Sequence, residues 1–210
     1  MAVVQPGDQM SRRERRRHEI HQRIIDSAVE LFDARGVVDT RIDDICEHAD
    51  LAQKTFFNHF PTKQHLFGEI AQSFLAHVCS LVEEARKEPA GTGQRIIQIF
   101  NRAADVVHHR GPRHRELVQE VARISSTEST DPSRVGSLPE AFHALVLDGL
   151  AAGDVTRAQG PLFLTEMIVS AFQGVVMSWA HDEEYELDLH LEEAARFLCR
   201  ALATDENAVT

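Results

Sequence analysis

The sequence predicts an all-α protein: an N-terminal three-helix helix-turn-helix head, a long connecting helix and a C-terminal helical body, about nine helices in all. Three observations carry this. The stretch Thr40 to Lys63, T-R-I-D-D-I-C-E-H-A-D-L-A-Q-K-T-F-F-N-H-F-P-T-K, reads as a short helix, a tight turn and a second short helix that exposes Gln53, Lys54, Phe57 and Asn58. In such a unit the second helix fits the major groove of DNA. Elsewhere apolar residues recur at three- and four-residue spacing, and nothing alternates as a strand would. An arginine cluster (Arg12, Arg13, Arg15, Arg16 and Arg17) lies just upstream.

Taken in order, residues 1–11 read as a disordered tail. A first helix spans about 13–35, with Ile20, Ile24, Ala28, Leu31 and Phe32 on one stripe and Gly36 ending it. Thr40 is the expected N-cap of the second helix, with Asp43 three residues on. Ile42, Ile45, Cys46 and Ala49 turn inward, and Asp50 occupies the turn because Asp tolerates a left-handed backbone. The third helix covers about 53–59 with Phe56 and Phe60 inward. Pro61 and Thr62 break the chain, and Thr62 is placed to cap a fourth helix over about 63–87. Twenty-five residues make that helix roughly 37 Å long. Helices follow at about 94–109, 113–126, 135–152, 161–181 and 187–203, with the polar segment S-S-T-E-S-T-D-P-S in between. The domain division expected is 1–11 tail, 12–62 helix-turn-helix domain and 63–205 body.

The chain of 210 residues is 43% hydrophobic, enough for a proper core, and its net charge is −11. That excludes a generally basic nucleic-acid coat. Residues 1–65 hold ten Lys/Arg against eleven Asp/Glu, and residues 66–210 hold twelve against twenty-two. Attraction to phosphate must therefore be local, and the acidic body should be repelled by DNA. Cys46, Cys79 and Cys199 lack C-x-x-C spacing and read as reduced thiols of a cytoplasmic protein. The opening residues are polar and then basic, with no apolar signal region. The apolar run Pro161 to Ala180 is interrupted by Thr165, Glu166, Ser170, Gln173 and Ser178, which fits a buried or dimer-forming helix and not a membrane span.

Gly36, Thr40, Ile45, Cys46, Ala49, Asp50, Leu51, Ala52, Thr55, Phe57, His59, Phe60, Lys63 and Leu66 together resemble the head of the tetracycline-repressor (TetR) family of bacterial transcription regulators. The resemblance is specific over residues 12–70; in the body it extends only to helix number, helix lengths and an apolar final pair with Trp179. It departs at Cys46 and Asp50, where the family commonly has alanine and glycine, and at Ala52, where serine is frequent. Phe57 stands in place of a phosphate-contacting tyrosine, leaving contact with sugar or a thymine methyl. Arg41 stands where a small hydroxyl residue is common and restores a phosphate contact.

On this reading Gln53, Lys54 and Asn58 are the base-reading candidates, since Lys donates to guanine O6/N7 and Gln or Asn pairs with adenine N6/N7. Arg41, Thr55, His59 and Lys63 are phosphate candidates, Lys63 being also at a helix start where N–H groups attract an anion. His59 has a second reading as a packed residue of the head, and Lys63 as a plain surface lysine. The arginine cluster is either a flexible arm along the DNA or a solubilising run. The resemblance implies an effector pocket in the body, for which Phe100, Phe142, His143, Met167, Phe172, Gln173, Met177 and Trp179 are candidates against an ordinary-core reading. Such a lining suits a hydrophobic or amphipathic effector.

His108, His109 and His114 cluster near Glu116 and Glu120, but adjacent helical histidines point about 100° apart, so a solvated loop edge is favoured over a metal site. The last two helices are apolar on more than one face. That implies a C2 homodimer through a four-helix bundle and a palindromic operator. The reading is a homodimeric regulator of double-stranded DNA, a repressor released by a small effector, with no cofactor and no membrane contact. The alternative is a DNA-binding protein of the same fold without small-molecule ligand, controlled by a protein partner or acting architecturally. G-x-S-x-G, H-E-x-x-H, P-loop and dinucleotide patterns are absent from the sequence, so an enzyme is not expected.

Overall fold

The computed structural model describes residues 11–108, 114–125 and 137–204. The elements are α1 (Arg12–Arg35), α2 (Ile42–His48), α3 (Gln53–His59), α4 (Lys63–Lys87), α5 (Thr92–His108), α6 (His114–Ser125), α7 (Leu138–Ala152), α8 (Pro161–His181) and α9 (Leu187–Leu202). No strand occurs among the described residues. The expected tail over 1–10, His109 and most of the polar segment, 126–133, lie outside them. Contacts divide the chain into Met1–Leu66, the head, and Phe67–Thr210, the body.

In the head, α1 packs on α2 and α2 on α3. Ser11 caps α1: its N–H donates to Glu14 Oε2 (2.7 Å) and its Oγ accepts from the Glu14 N–H (3.2 Å). This backbone hydrogen bond also holds the Glu14 carboxyl below its ordinary pKa. The arginines from Arg12 to Arg17 consequently lie in the first two turns of a capped helix, not on a flexible arm. α1 buries Ile24, Ala28, Leu31 and Phe32 and stops at Gly36, whose φ of 88° suits glycine.

Thr40 does not cap α2. It is buried, and its hydroxyl donates to the Gly36 carbonyl (2.7 Å). A buried O–H must find an acceptor, and here the nearest one belongs to the α1–α2 loop. The N-cap is Arg41, whose N–H is held by Asp44 Oδ2 at 2.8 Å. At the other end Asp50 has φ 50°, while the Leu51 N–H reaches Cys46 O (2.9 Å) and the Asp50 N–H reaches Glu47 O (3.1 Å). That is a Schellman cap with Asp in the left-handed position. Phe56 and Phe60 are buried as expected, 5.8 Å apart between ring centres.

In the body, α5 lies along α9, α7 along α8, α8 along α9, and α6 against α8. One apolar core runs through Val78, Leu81 and Val82 of α4, Ile96, Ile99 and Phe100 of α5, Phe142, Leu145 and Val146 of α7, Ile168 and Phe172 of α8, and Leu191, Ala195 and Leu198 of α9. Arg86 of α4 donates through Nε to Asp148 Oδ2 of α7 at 2.6 Å and through Nη1 to Glu83 at 2.8 Å. Arg115 of α6 stacks over Trp179 (4.8 Å) and donates to the carbonyls of Trp179 and Asp182, closing the C-terminal end of α8. The start of α5 is closed from the α7–α8 loop: Asp154 accepts the Thr92 N–H (2.7 Å) and the Thr92 hydroxyl (2.9 Å).

Close backbone approach at this junction requires glycine. A Cβ on Gly93 would sit 2.4 Å from Cys199 Sγ, and one on Gly149 would sit 2.4 Å from Thr92 Oγ1 and from Val155 Cγ2. Gly93→Ala should therefore lower body stability by about 1–3 kcal/mol through overpacking. Removing the sulfur should relieve much of this, because the next Cys199 atom is 3.5 Å away. Thermal unfolding of Gly93→Ala, Cys199→Ala and the double variant checks it. The double variant should be more stable than the sum of the singles allows, and strict additivity would rule out the contact as the cause.

Candidate nucleic-acid interface

α3 is short, and its two faces differ sharply. Phe56 is inside, while Gln53, Lys54, Phe57 and Asn58 are exposed, Phe57 at 47%. Phe57 stands edge-on to Phe56, with ring centres 5.5 Å apart, so its position is set by the buried neighbour. The exposed apolar ring beside three amide or ammonium donors is a surface suited to base edges and thymine methyls. Gln53 is already engaged: its Nε2 donates to Asp43 Oδ1 of α2. To read a base it must exchange that acceptor.

The phosphate candidates divide. Arg41 is exposed at the start of α2. Thr55 is half-buried on α3. Lys63 is neither a plain surface lysine nor an open phosphate ligand. Its Nζ donates to Val37 O and to Thr40 O, both at 2.7 Å, and lies 5.5 Å from the centre of the Phe32 ring. The residue ties the first turn of α4 to the loop between α1 and α2. Its side-chain donors are directed into the head, onto two carbonyls of the loop, because backbone acceptors turned away from water need donors. The Thr62 hydroxyl caps this same helix start, accepting from the His65 N–H at 3.3 Å.

His59 is half-buried beside His21 of α1, with ring centres 5.7 Å apart, and His21 stacks on Phe60 at 4.5 Å. Burial lowers the His59 pKa, and the nearby His21 and Arg17 lower it further. His21 was not singled out from the sequence. The signal was there: Arg13, Arg17 and His21 are spaced by four, on the row of α1 that continues into buried Ile24 and Ala28.

The pocket candidates also divide. Phe100, Phe142, Phe172 and Trp179 belong to the body core, and Phe100 meets Phe172 edge-on at 5.3 Å. His143 is half-buried, its Nδ1 3.1 Å from Thr165 Oγ1, and Met177 is half-buried. Met167, at 42%, and Gln173 are exposed on α8, unlike the other six. Helical spacing alone cannot separate the two faces of so apolar a helix. Among the described residues no group of three or more His, Cys, Asp or Glu is placed to hold a metal ion. Of the expected histidine cluster His114 is buried, and the rest lies outside the described side chains. Burial raises the pKa of Cys46, Cys79 and Cys199, which disfavours thiolate chemistry at each.

If Lys63 is a structural tie, Lys63→Met should destabilise the head in the absence of DNA by about 1–3 kcal/mol, because two buried carbonyls lose their donor. Chemical unfolding followed by far-UV circular dichroism checks this. A phosphate ligand alone would leave DNA-free stability unchanged.

Comparison with known proteins agrees with this head. Residues 24–70 match the family described as bacterial regulatory proteins, tetR family. The chain is 21% identical over 163 residues to the HTH-type transcriptional repressor DhaR of Mycobacterium sp. (strain GP1), covering 75% of this chain and 81% of that one. A putative TetR-family transcriptional regulator from Mesorhizobium loti superposes with a TM-score of 0.64 at 15% identity, covering 90% of this chain and 99% of that one. FadR of Thermus thermophilus, a TetR-family transcriptional repressor in complex with lauroyl-CoA, gives 0.62 at 17% identity over 90% and 98%. These relatives are transcriptional regulators, and the solved ones share the all-helical fold. Residues 24–70 thus carry the head of the tetR family of bacterial regulatory proteins, and the rest of the chain shares the all-helical fold of the solved relatives.

Proposed function

We propose that this regulator is a homodimeric repressor that reads a palindromic operator with α3 and is released from it by a small hydrophobic or amphipathic effector taken up by the body. The observation that carries the DNA reading is the exposed α3 face of Gln53, Lys54, Phe57 and Asn58 above buried Phe56. Arg41 and Thr55 flank it as phosphate contacts. Lys63 contributes through the start of α4, where backbone N–H groups and the helix dipole favour an anion, its side chain being committed elsewhere.

Dimerisation is supported by the composition of the last helices. α8 is long and apolar enough to cross a membrane by length and composition. Its outer side exposes Leu162, Phe163 (50%) and Met167, and α9 exposes Leu189 and Phe197 (63%). Apolar side chains of that size on two neighbouring helices suit a self-complementary interface in a cytoplasmic protein better than open water. Gly174, with open space around it, permits close approach of a partner helix.

The effector reading rests on the aromatic body core and on the acyl-CoA bound by the similar FadR. Phe100, Phe142, Phe172 and Trp179 are packed, so an effector must part them, and α4 shares their core through Val78, Leu81 and Val82. An effector that binds better to a state with displaced α4 disfavours the spacing of heads that DNA needs. A preference of a few kcal/mol is enough. The same packing is what a regulator governed by a protein partner, without small-molecule ligand, would also show.

Selection of genomic DNA fragments by the purified protein tests the central claim. A palindromic motif should emerge, and Lys54→Ala should lose its selectivity, by about 1–3 kcal/mol at the contacted base pair. Salt-sensitive binding without a motif would sink operator reading.

A further inference from the structure

On the reading of α3 as the groove helix, we propose that Arg13 and Arg17 of α1 and His59 of α3 form a second phosphate station, braced by His21, which couples DNA binding to proton uptake. The argument begins with the helix row. Arg13, Arg17 and His21 follow one another at four-residue intervals, and the row continues into Ile24 and Ala28, which are fully buried. The face of α1 that packs into the head thus runs on, past the apolar core, as two exposed arginines.

Where that row leaves the core it meets the C-terminal end of α3. His21 stacks on Phe60 at 4.5 Å and stands 5.7 Å from the His59 ring, and the charge of Arg17 acts on His59. Because Ser11 and Glu14 cap the helix, the arginines are held in register with α3 and do not trail from it. The first 65 residues carry eleven acids against ten Lys/Arg, yet five of those ten bases fall between residues 12 and 17. A polyanion is the occupant that complements such a concentration, and α3 supplies the polyanion: the backbone of the duplex it reads.

Burial, and then His21 and Arg17, both basic, lower the His59 pKa and so favour its neutral ring in the free protein. A phosphate set between Arg17 and His59 reverses that balance, since an anion within a few ångströms favours imidazolium. The complex then holds more protons than the free partners. Affinity therefore rises as pH falls through the histidine range.

Fluorescence anisotropy with the selected operator duplex and a scrambled duplex tests this, for wild type, Arg17→Ala, Arg17→Lys, His59→Gln and Lys54→Ala, over a salt series and between about pH 8 and about pH 5.5. Arg17→Ala should reduce the salt slope by about 0.9 on both duplexes, and Arg17→Lys should restore it. Wild-type affinity should rise about three- to tenfold toward the acid end, and His59→Gln should flatten that rise. Arg17 is exposed, so its variants fold irrespective of the outcome. An unchanged slope in Arg17→Ala, or a wild-type pH profile in His59→Gln, overturns the proposal. The scrambled duplex separates the two readings. Loss of slope there without a Lys54-dependent motif would sink operator reading alone, whereas a motif with an unchanged slope would sink this station alone.

Discussion

The head depends on one ammonium group. Val37 and Thr40 lie in the loop between α1 and α2, and Lys63 Nζ donates to both carbonyls at 2.7 Å. Left unpaired, each buried carbonyl would cost about 1–3 kcal/mol. The bond partners are 26 and 23 residues from the lysine, so the contact fixes tertiary geometry and not merely a turn. It sets where α4 begins relative to α2. Since Thr40 in turn holds Gly36, the end of α1, the loop and the start of α4 form one connected unit. Any movement of the first turn of α4 is therefore felt by the elements that position α3. The proposed release of DNA through α4 requires such a link.

The body solves a different problem, that of closing helix ends inside a mostly apolar bundle. The first N–H groups of α5 and the last carbonyls of α8 cannot pair within their own helices. Asp154 takes the first set and Arg115 the second, each reaching from another element. Both are charged groups in charge-assisted hydrogen bonds, stronger than neutral ones. Gly149 belongs to the same solution, since a Cβ there would collide with Thr92 Oγ1 and Asp154 Oδ1, whereas Gly93 lets α5 approach Cys199 of α9. The Arg86–Asp148 pair adds a partly exposed link from α4 to α7, where solvent screening keeps the electrostatic gain small.

How much of this was legible in the sequence follows from the range of the interactions. Helix periodicity is local, so the stripes of α1 to α4 and the boundaries at Gly36, Pro61 and Thr62 could be read directly. The left-handed Asp50 was equally local. Thr40 was misread as a cap because its hydroxyl is bound to a carbonyl four residues back, a choice made by burial and not by the capping pattern. Lys63 escaped because its acceptors lie 23 and 26 residues away. Of the two readings of the arginine run, a flexible arm or a solubilising run, the first overlooked Ser11 and Glu14, a capping box visible in the letters. Met167 and Gln173 show the opposite limit: on a helix apolar all round, composition does not say which side is inside.

That last limit bears on why α8 is built as it is. A helix packed in a monomer needs one apolar stripe of about 100°, and the remainder is normally polar. α8 has Leu164, Ile168 and Phe172 inside, and also Leu162, Phe163 and Met167 outside. Only Glu166, and His181 at its end, bring titratable groups to it. Charge is concentrated instead in the turn and α9 that follow, from Asp182 to Glu193. This separation is costly for a solitary chain in water, because exposed apolar clusters invite association, and it is consistent for a chain that meets its own copy. In the proposed dimer two copies related by a two-fold axis carry two groove helices, and DNA presents its major groove at about 34 Å intervals on one face. On the proposed dimer, the apolar excess of α8 and the polar face of α3 serve one requirement: a pair of readers selects a site from a genome better than a single α3 with four exposed side chains.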